Sequence, residues 1–256
     1  MAHLPAQALV DATRELAHGG RWTQARALLD AGEPSDPVEA GALAGARAEV
    51  EVEHAFWMRR TADLAVLATA EHAAADDAQQ WAARFARLRA AYAEQLHARF
   101  AGRPHTRFAG QSLIGVDDLA ATAAELASGA PDGTTRAYVT FYRGLIADVL
   151  LGDPTAGARH YQDAAGTSDE YVRSYALRHL GGVADDAGRR DEALAHWRES
   201  TRLRQRAGFV PGALAQLQLY PGETTTAQLV NDWAEALGVR ALIAEATEPE
   251  VARDPV

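Results

Sequence analysis

Two residue types with distinctive chemistry are missing from this chain. It contains no cysteine, so disulfide bonds and thiolate nucleophiles are both excluded. All 25 basic residues are arginine and none is lysine, which excludes a Schiff-base lysine and the lysine of a phosphate-binding P-loop. The exclusive use of arginine and the abundant alanine are typical of a GC-rich bacterial genome, and we attach no function to them.

The chain also lacks long apolar runs and an excess of positive charge. No stretch approaches the roughly 18 apolar residues of a membrane span, and the first residues lack the basic start of a signal peptide, so we expect a cytoplasmic protein. A formal charge of −10 disfavours a nucleic-acid surface, and no helix-turn-helix with a basic recognition helix is visible. One basic run is interpreted as a solvated helix face near a helix C-terminus; it comprises Arg198, Arg202, Arg204 and Arg206.

The hydrophobic content of 48% predicts a folded chain, and the clearest pattern lies between Ser174 and Arg206. Apolar residues recur at helical spacing in both halves of this stretch, which predicts two antiparallel helices. Gly188 lies where the first helix must end, because glycine adopts the left-handed cap conformation without a Cβ clash. Gly181 is small enough to let the two backbones approach, and Trp197 is large enough to fill the space beside it.

The residues at fixed positions of this hairpin resemble a tetratricopeptide repeat (TPR). They are Leu177, Leu180, Gly181 and Ala184 on the first helix, Gly188 at the turn, and Glu192, Ala193, Trp197 and Ser200 on the second. Two positions depart from the family pattern: Leu177 stands where tryptophan is frequent, and Gln205 stands where proline is frequent. The end of this unit is therefore weakly specified.

The same pattern occurs in two other parts of the chain. A shift of 36 residues places Gly152 on Gly188 and Tyr161 on Trp197. A third copy opens the chain, with its turn at Gly19 and Gly20. A period in the thirties is the signature of a helical solenoid. The resemblance is good over 6–32 and 135–207 and poor over 37–130, and it implies a right-handed superhelical array of antiparallel helix pairs, about ten helices in all.

The remaining segments are interpreted as further helices around one long loop. We predict helices over 38–60, from 61 or 63 to 74, from 76 or 77 to 100, from 117 or 118 to 128, over 210–220 and over 224–246. The loop over 102–116 is unusually long for a compact helical protein, and such loops are often functional. The predicted organisation is N-terminal hairpins in 1–101, this loop, and C-terminal repeats with closing helices in 117–256, forming one continuous array.

The resemblance also implies where a ligand would bind. In TPR arrays the first helix of each pair lines a concave groove, and the matching positions here are Tyr142, Ile146, Tyr175, Arg178, Asp185 and Gln218. An arginine beside tyrosines suits a carboxylate, such as a peptide C-terminus, because its planar fork meets both oxygens. The alternative is that the tyrosines simply pack between repeats with their hydroxyls at the rim. The expected partner is a peptide or protein segment, a small ligand fits the same groove, homo-oligomerisation stays open, and no cofactor is expected.

A second hypothesis is a helical enzyme or metal-binding protein that uses the 37–101 helices. Two Glu-x-x-His pairs lie there, Glu51 with His54 and Glu94 with His97, and each pair shares one helix face. Ferritin-like bundles hold metal ions with this spacing, together with carboxylates from other helices. His160 and His196 occupy equivalent repeat positions, which favours packing over catalysis. Stoichiometric metal would separate this hypothesis from the binding protein.

Overall fold

The computed structural model describes residues 5–100 and 115–217, and this part of the chain is helical, without a strand. Its α-helices are α1 Ala6–His18, α2 Trp22–Asp30, α3 Pro37–Trp57, α4 Leu64–Ala73, α5 Asp77–Phe100, α6 Val116–Ser128, α7 Gly133–Leu145, α8 Pro154–Ala165, α9 Glu170–Asp186, α10 Arg190–Arg206 and α11 Val210–Leu217. A π-helical turn, Ile146–Leu150, continues α7. The all-helical prediction is confirmed.

Aspartates begin six of the described helices. Each side chain accepts a hydrogen bond from a backbone amide two or three residues further on, where helical N–H groups have no partner within the helix. They are Asp36, Asp63, Asp76, Asp132, Asp153 and Asp169. Proline follows at the first helical position of α3 and α8. The helix starts predicted near residues 36, 63 and 76 are confirmed.

Glycine ends the first helix of the three hairpins that the sequence pattern singled out. Gly20, Gly152 and Gly188 have φ angles of +74°, +72° and +75°. Only glycine adopts this left-handed conformation without a steric penalty. The pairs α1–α2, α7–α8 and α9–α10 are therefore antiparallel hairpins with the same turn, as predicted.

The α9–α10 hairpin is held by the contact expected between a glycine and a large aromatic ring. A Cβ atom added at Gly181 would overlap the indole of Trp197, so the ring lies directly on the α9 backbone. The Trp197 Nε1 donates to the Arg178 carbonyl oxygen at 3.0 Å. Further along α10, the Ser200 hydroxyl donates to the Ser174 carbonyl oxygen at 2.7 Å. These contacts join the two backbones at two levels.

The α7–α8 hairpin repeats this packing with one residue more. A Cβ atom added at Gly144 would overlap the ring of Tyr161, so this pair corresponds to Gly181 and Trp197. Gly144 and Tyr161 are one residue further apart in the chain, and the π turn lies between them. In a π turn a backbone N–H bonds to the carbonyl five residues earlier instead of four, so the turn accommodates one extra residue. Residues of α7 before the π turn therefore correspond to α9 residues 37 positions later in the chain, one more than the period of 36.

The N-terminal pairs pack through small residues instead. Helices α3, α4 and α5 meet along a cluster of buried alanines, which we call the alanine seam: Ala44, Ala48, Ala55, Ala62, Ala70, Ala83, Ala86 and Ala90. Val52 and Leu67 complete this cluster. No large aromatic ring belongs to it, so the glycine-on-aromatic contact of the C-terminal hairpins is absent from the alanine seam.

Residues near the two ends of the described chain meet in one core. Phe209, just after α10, packs against Trp57 of α3 with ring centroids 6.0 Å apart. His18 of α1 stacks on Tyr171 of α9 at 4.6 Å and 10°. The first helices of the N-terminal and C-terminal hairpins thus face one another through aromatic side chains across an interior space.

Some predicted features lie outside the described residues. They include almost all of the 102–116 loop and the closing helix over 224–246, so the division into 1–101, 102–116 and 117–256 stays a prediction. Among the described helices, none has the length and apolarity needed to cross a membrane.

Candidate functional site

The interior contains a cavity of about 320 Å³ between α3 and α5 on one side and α7, α9 and α10 on the other. We call it the Arg204 cavity. Its apolar lining is Val52, Phe56, Trp57, Leu96, Phe141, Leu145 and Val149, and its polar lining is Glu53, Arg89, Tyr92, Tyr142, Tyr175, Arg178, His179 and Arg204. An apolar wall with a few convergent polar groups is typical of a small-ligand site.

Arg204 is the most unusual group in this cavity. It is only 1% exposed, although the sequence pattern placed it on a solvated helix face. That interpretation is correct for Arg198, Arg202 and Arg206, which recur every four residues and are exposed, and wrong for Arg204. Its position is offset from that spacing, so α10 directs it inward.

The guanidinium of Arg204 is only partly satisfied. Its Nη1 donates to the Gly212 carbonyl oxygen, and its Cζ lies 5.0 Å from the ring centroid of Tyr175. Within the described residues, Nε and Nη2 have no hydrogen-bond partner and no carboxylate forms an ion pair with this arginine. Burial, reinforced by the nearby charge of Arg178, lowers the pKa of Arg204 to about 10. The group is therefore still a cation at neutral pH.

Two neighbouring residues of α9 complete the polar end of the cavity. Arg178 donates from Nη1 to the Ala215 carbonyl oxygen at 3.3 Å. His179 stacks on Tyr161 with ring centroids 4.9 Å apart. Burial lowers the pKa of His179 to about 3, and the charges of Arg178 and Arg204 act in the same direction. His179 is therefore neutral at pH 7, and the positive charge at this end comes from the two arginines.

Aromatic rings form the wall between α5, α7 and α9. Phe141 contacts Tyr175 with centroids 5.3 Å apart, and Tyr92 meets Tyr142 edge to face at 5.5 Å. Burial raises the pKa values of Tyr92, Tyr142 and Tyr175, so their hydroxyls stay protonated. These rings offer apolar surface and neutral hydroxyl groups to whatever occupies the cavity.

A second cavity of about 220 Å³ lies on the far side of Glu53 and Arg89, which line both spaces. We call it the Thr13 cavity. Arg89 forms an ion pair with Glu49, and burial raises the pKa of Glu53 to about 8 despite the attraction of Arg89. Glu53 is therefore mostly protonated at neutral pH, and one of its oxygens, Oε1, has no partner among the described residues.

Three of the six sequence-predicted binding residues come together here. Tyr142, Tyr175 and Arg178 all line the Arg204 cavity. Ile146 belongs to the π turn and is buried in the core, because the extra residue of that turn changes the register. Asp185 lies near the end of α9, and its carboxylate pairs with Arg190 at 2.7 Å instead of lining the cavity. Gln218 lies outside the described residues.

The sequence interpretation missed the contribution of α3, α5 and α10. Glu53, Arg89 and Arg204 are buried charged residues, and Trp57 of α3 adds large apolar surface; Phe141 of α7 was missed as well. A signal was available for Arg204, because it breaks the four-residue spacing of its exposed neighbours and directly follows Leu203. Glu53 and Arg89 gave none, since which face of a long helix is covered depends on the neighbouring hairpins.

The Glu-x-x-His pairs proposed for metal binding are placed differently. Glu51 accepts two hydrogen bonds from Arg60, at 2.6 and 3.0 Å, and one from the Asp63 amide at 2.8 Å. His54 stacks on Trp22, and burial lowers its pKa to about 4. His97 lies against Phe56, with centroids 6.3 Å apart. Within 5–100 and 115–217, no three histidine, aspartate or glutamate side chains converge on a point where they could hold a metal ion.

Comparisons of the chain with protein-family models, with curated proteins and with solved structures gave no match. The interpretation of the site therefore depends on its geometry.

Proposed function

We propose that this chain is a TPR-like binding protein that holds a ligand in the Arg204 cavity and carries out no reaction on it. Its helix pairs would form a right-handed superhelical array whose concave side is this interior. The distribution of lining residues supports the proposal. The first helix of each of the five pairs, α1, α3, α5, α7 and α9, lines one or both cavities. Among the described residues, Arg204 is the one contribution from a second helix to either lining.

The observation that carries the proposal is the incomplete bonding of Arg204. Leaving charged donors buried without partners is energetically unfavourable, and a bound ligand that satisfies them would remove that cost. Arg204 lines a cavity walled by Tyr175 and Phe141, and its unsatisfied Nε and Nη2 are themselves fully buried, so a ligand in the cavity would reach them after a small movement of the side chain. A volume near 320 Å³ suits a small molecule or the end of a peptide more than a long protein segment.

The test is native mass spectrometry of the protein purified without denaturation, with metal analysis of the same sample. We expect a mass above that of the chain, and the excess should dissociate as an organic molecule or a short peptide on denaturation. The Arg204→Met protein should carry less of this ligand, and the Arg202→Met protein should carry the same amount as the unmodified chain. Stoichiometric metal without an organic ligand would contradict the proposal and support the enzyme hypothesis.

A further inference from the structure

The free edge of Arg204 has the shape of a carboxylate receptor. Nε and Nη2 form one side of the planar guanidinium; both are fully buried and neither has a partner among the described residues, while Nη1 on the other side donates to the Gly212 carbonyl oxygen. A carboxylate accepts two parallel hydrogen bonds from such an edge, one for each oxygen. A single carbonyl oxygen would satisfy only one of the two donors.

The charges around the cavity favour an anionic ligand. Arg178 lies beside Arg204 on the same wall, and the nearness of the two charges adds to the cost of burying Arg204. Arg89 already has Glu49 as its partner. Arg204 is thus a fully buried cation without a carboxylate among the described residues, and a bound anion would remove the penalty of that burial.

The remaining walls favour an apolar body behind the carboxylate. Phe56, Trp57, Leu96, Phe141 and Leu145 offer no charge to a second anionic group. Glu53 lines the same cavity, and its carboxyl would repel a second negative charge whenever it ionised. Aromatic rings and aliphatic side chains instead favour contact with a phenyl ring or an alkyl chain.

We propose that the Arg204 cavity binds a small monocarboxylic acid with an aromatic or aliphatic body, its carboxylate held side-on by Nε and Nη2 of Arg204. This inference rests on the proposed binding function and specifies the ligand class. A peptide would be bound only through a carboxylate at its end.

Calorimetric titration with paired probes tests the ligand class on the unmodified protein, after any co-purified ligand has been removed by dialysis. The probes are phenylacetate with phenylacetamide, and hexanoate with hexanamide, since each pair differs in charge but hardly in shape. We expect the acid to bind about a hundredfold more tightly than its amide, because the amide cannot form the charged pair. Phenyl phosphate is the third probe, and we expect it to bind more weakly than phenylacetate.

Two variants locate the contact. Arg204→Met should abolish the preference for the acid, and Arg204→Lys should lose at least about tenfold in affinity, because lysine keeps the charge but lacks the two-donor edge. Arg202→Met is the matched control, since Arg202 is an exposed arginine on the same helix that pairs with Glu199. If Arg204→Met fails to fold, the comparison of acid and amide on the unmodified protein still decides the question.

The outcomes separate the two proposals. Equal affinity for acid and amide, tighter binding of phenyl phosphate, or a neutral molecule found by native mass spectrometry would overturn the monocarboxylate inference and leave the binding function standing. A preference for the acid that persists in Arg204→Met would overturn the assignment to Arg204. If no ligand co-purifies and no probe binds, the proposed function itself is wrong.

Discussion

The interfaces between neighbouring helices and the wall of the Arg204 cavity contain the same residue types with different bonding. Trp197 and Trp57 are both about 95% buried, yet the Trp197 indole N–H donates to the Arg178 carbonyl oxygen and the Trp57 indole N–H has no partner among the described residues. Trp197 lies between two helices and Trp57 lines the cavity. The Trp197 indole therefore adds a hydrogen bond between α9 and α10, whereas the Trp57 indole contributes only its apolar surface to the cavity wall.

Two glutamates of α3 show the same contrast two residues apart. Burial alone would raise the pKa of Glu51, but its hydrogen bonds with Arg60 and the Asp63 amide outweigh that effect and lower it. Glu53 faces the cavities, and burial raises its pKa to about 8. The first carboxylate joins α3 to the segment before α4, and the second leaves an oxygen without a partner. Glu51 therefore stabilises the fold through paired hydrogen bonds, whereas Glu53 presents an incompletely bonded carboxyl at the cavities.

The largest effect should come from removing an interface aromatic. Trp197→Ala should lower the free energy of unfolding by about 3–5 kcal/mol, because it leaves a cavity over Gly181 and deprives the Arg178 carbonyl of its donor. Urea unfolding followed by circular dichroism measures this change. A loss below about 1 kcal/mol would mean that the ring does not hold α9 and α10 together.

Glu53→Gln should instead raise the free energy of unfolding, and the size of this gain should depend on pH. Because the pKa of Glu53 is about 8 in the folded protein and near 4.5 when unfolded, the folded state retains a proton that the unfolded chain releases. The stability contribution of Glu53 therefore falls as the pH rises from 4.5 to about 8 and is constant above that. We expect the Gln variant to match the unmodified protein at pH 4 and to exceed it by on the order of 3 kcal/mol at pH 9.

Urea unfolding of both proteins at pH 4, 6.5 and 9 measures that difference. Equal stability at pH 9 would show that Glu53 ionises freely and does not face a closed interior. Effects from other titrating groups cancel, because both proteins share them.

Glu51→Gln should destabilise the protein, and the loss should be larger at neutral pH than at acidic pH. The contribution of Glu51 is fully present above its unfolded pKa of 4.5 and is lost as the pH falls through its lower folded value. At pH 7 we expect a loss of about 2 kcal/mol, below the full effect of breaking a buried pair, because the Arg60 side chain is 36% exposed. The unfolding midpoints of the variant and the unmodified protein at pH 7 and pH 3 measure this loss. A difference between the two proteins that grows on acidification would contradict the prediction.

The smallest effects should come from two adjacent glycines of α9. Gly181→Ala should destabilise the protein by about 1–2 kcal/mol, because its Cβ would overlap Trp197. Gly182→Ala should stabilise it by about 0.5–1 kcal/mol, since no atom lies within 4 Å of the added Cβ and alanine favours the helix. Thermal unfolding compares the two variants, and the same sign for both would show that the helix faces are assigned incorrectly.

Most helix positions could be predicted because their signals are local. Asp36 and Asp63 cap helices through amides within three residues, and Gly188 takes up a conformation that other residues avoid. The π turn after α7 was not predicted, since it changes the spacing by one residue and leaves the apolar pattern intact. Because of this extra residue, Ile146 does not reach the Arg204 cavity. For the same reason the counterpart of Tyr175 is Tyr138, which lines the Thr13 cavity.

The candidate site could be predicted only in part. Tyr142, Tyr175 and Arg178 were expected on one surface because they follow from a repeat in which first helices face the same way. Their neighbours Glu53 and Arg89 come from helices without that repeat signature. Their burial results from the meeting of the N-terminal and C-terminal hairpins, which no local pattern encodes.

Residue spacing was enough to predict the helices, the hairpin turns at Gly20, Gly152 and Gly188, and the glycine-on-aromatic packing of α9 against α10, because each depends on residues close together in the chain. Three other features follow only from the packing of distant helices: Arg204 points inward, Glu53 and Glu51 have opposite pKa shifts, and the first helices enclose a cavity. Burial and charge pairing depend on which distant helices come together. The chemistry of this protein therefore lies in contacts that the spacing of residues along the chain does not contain.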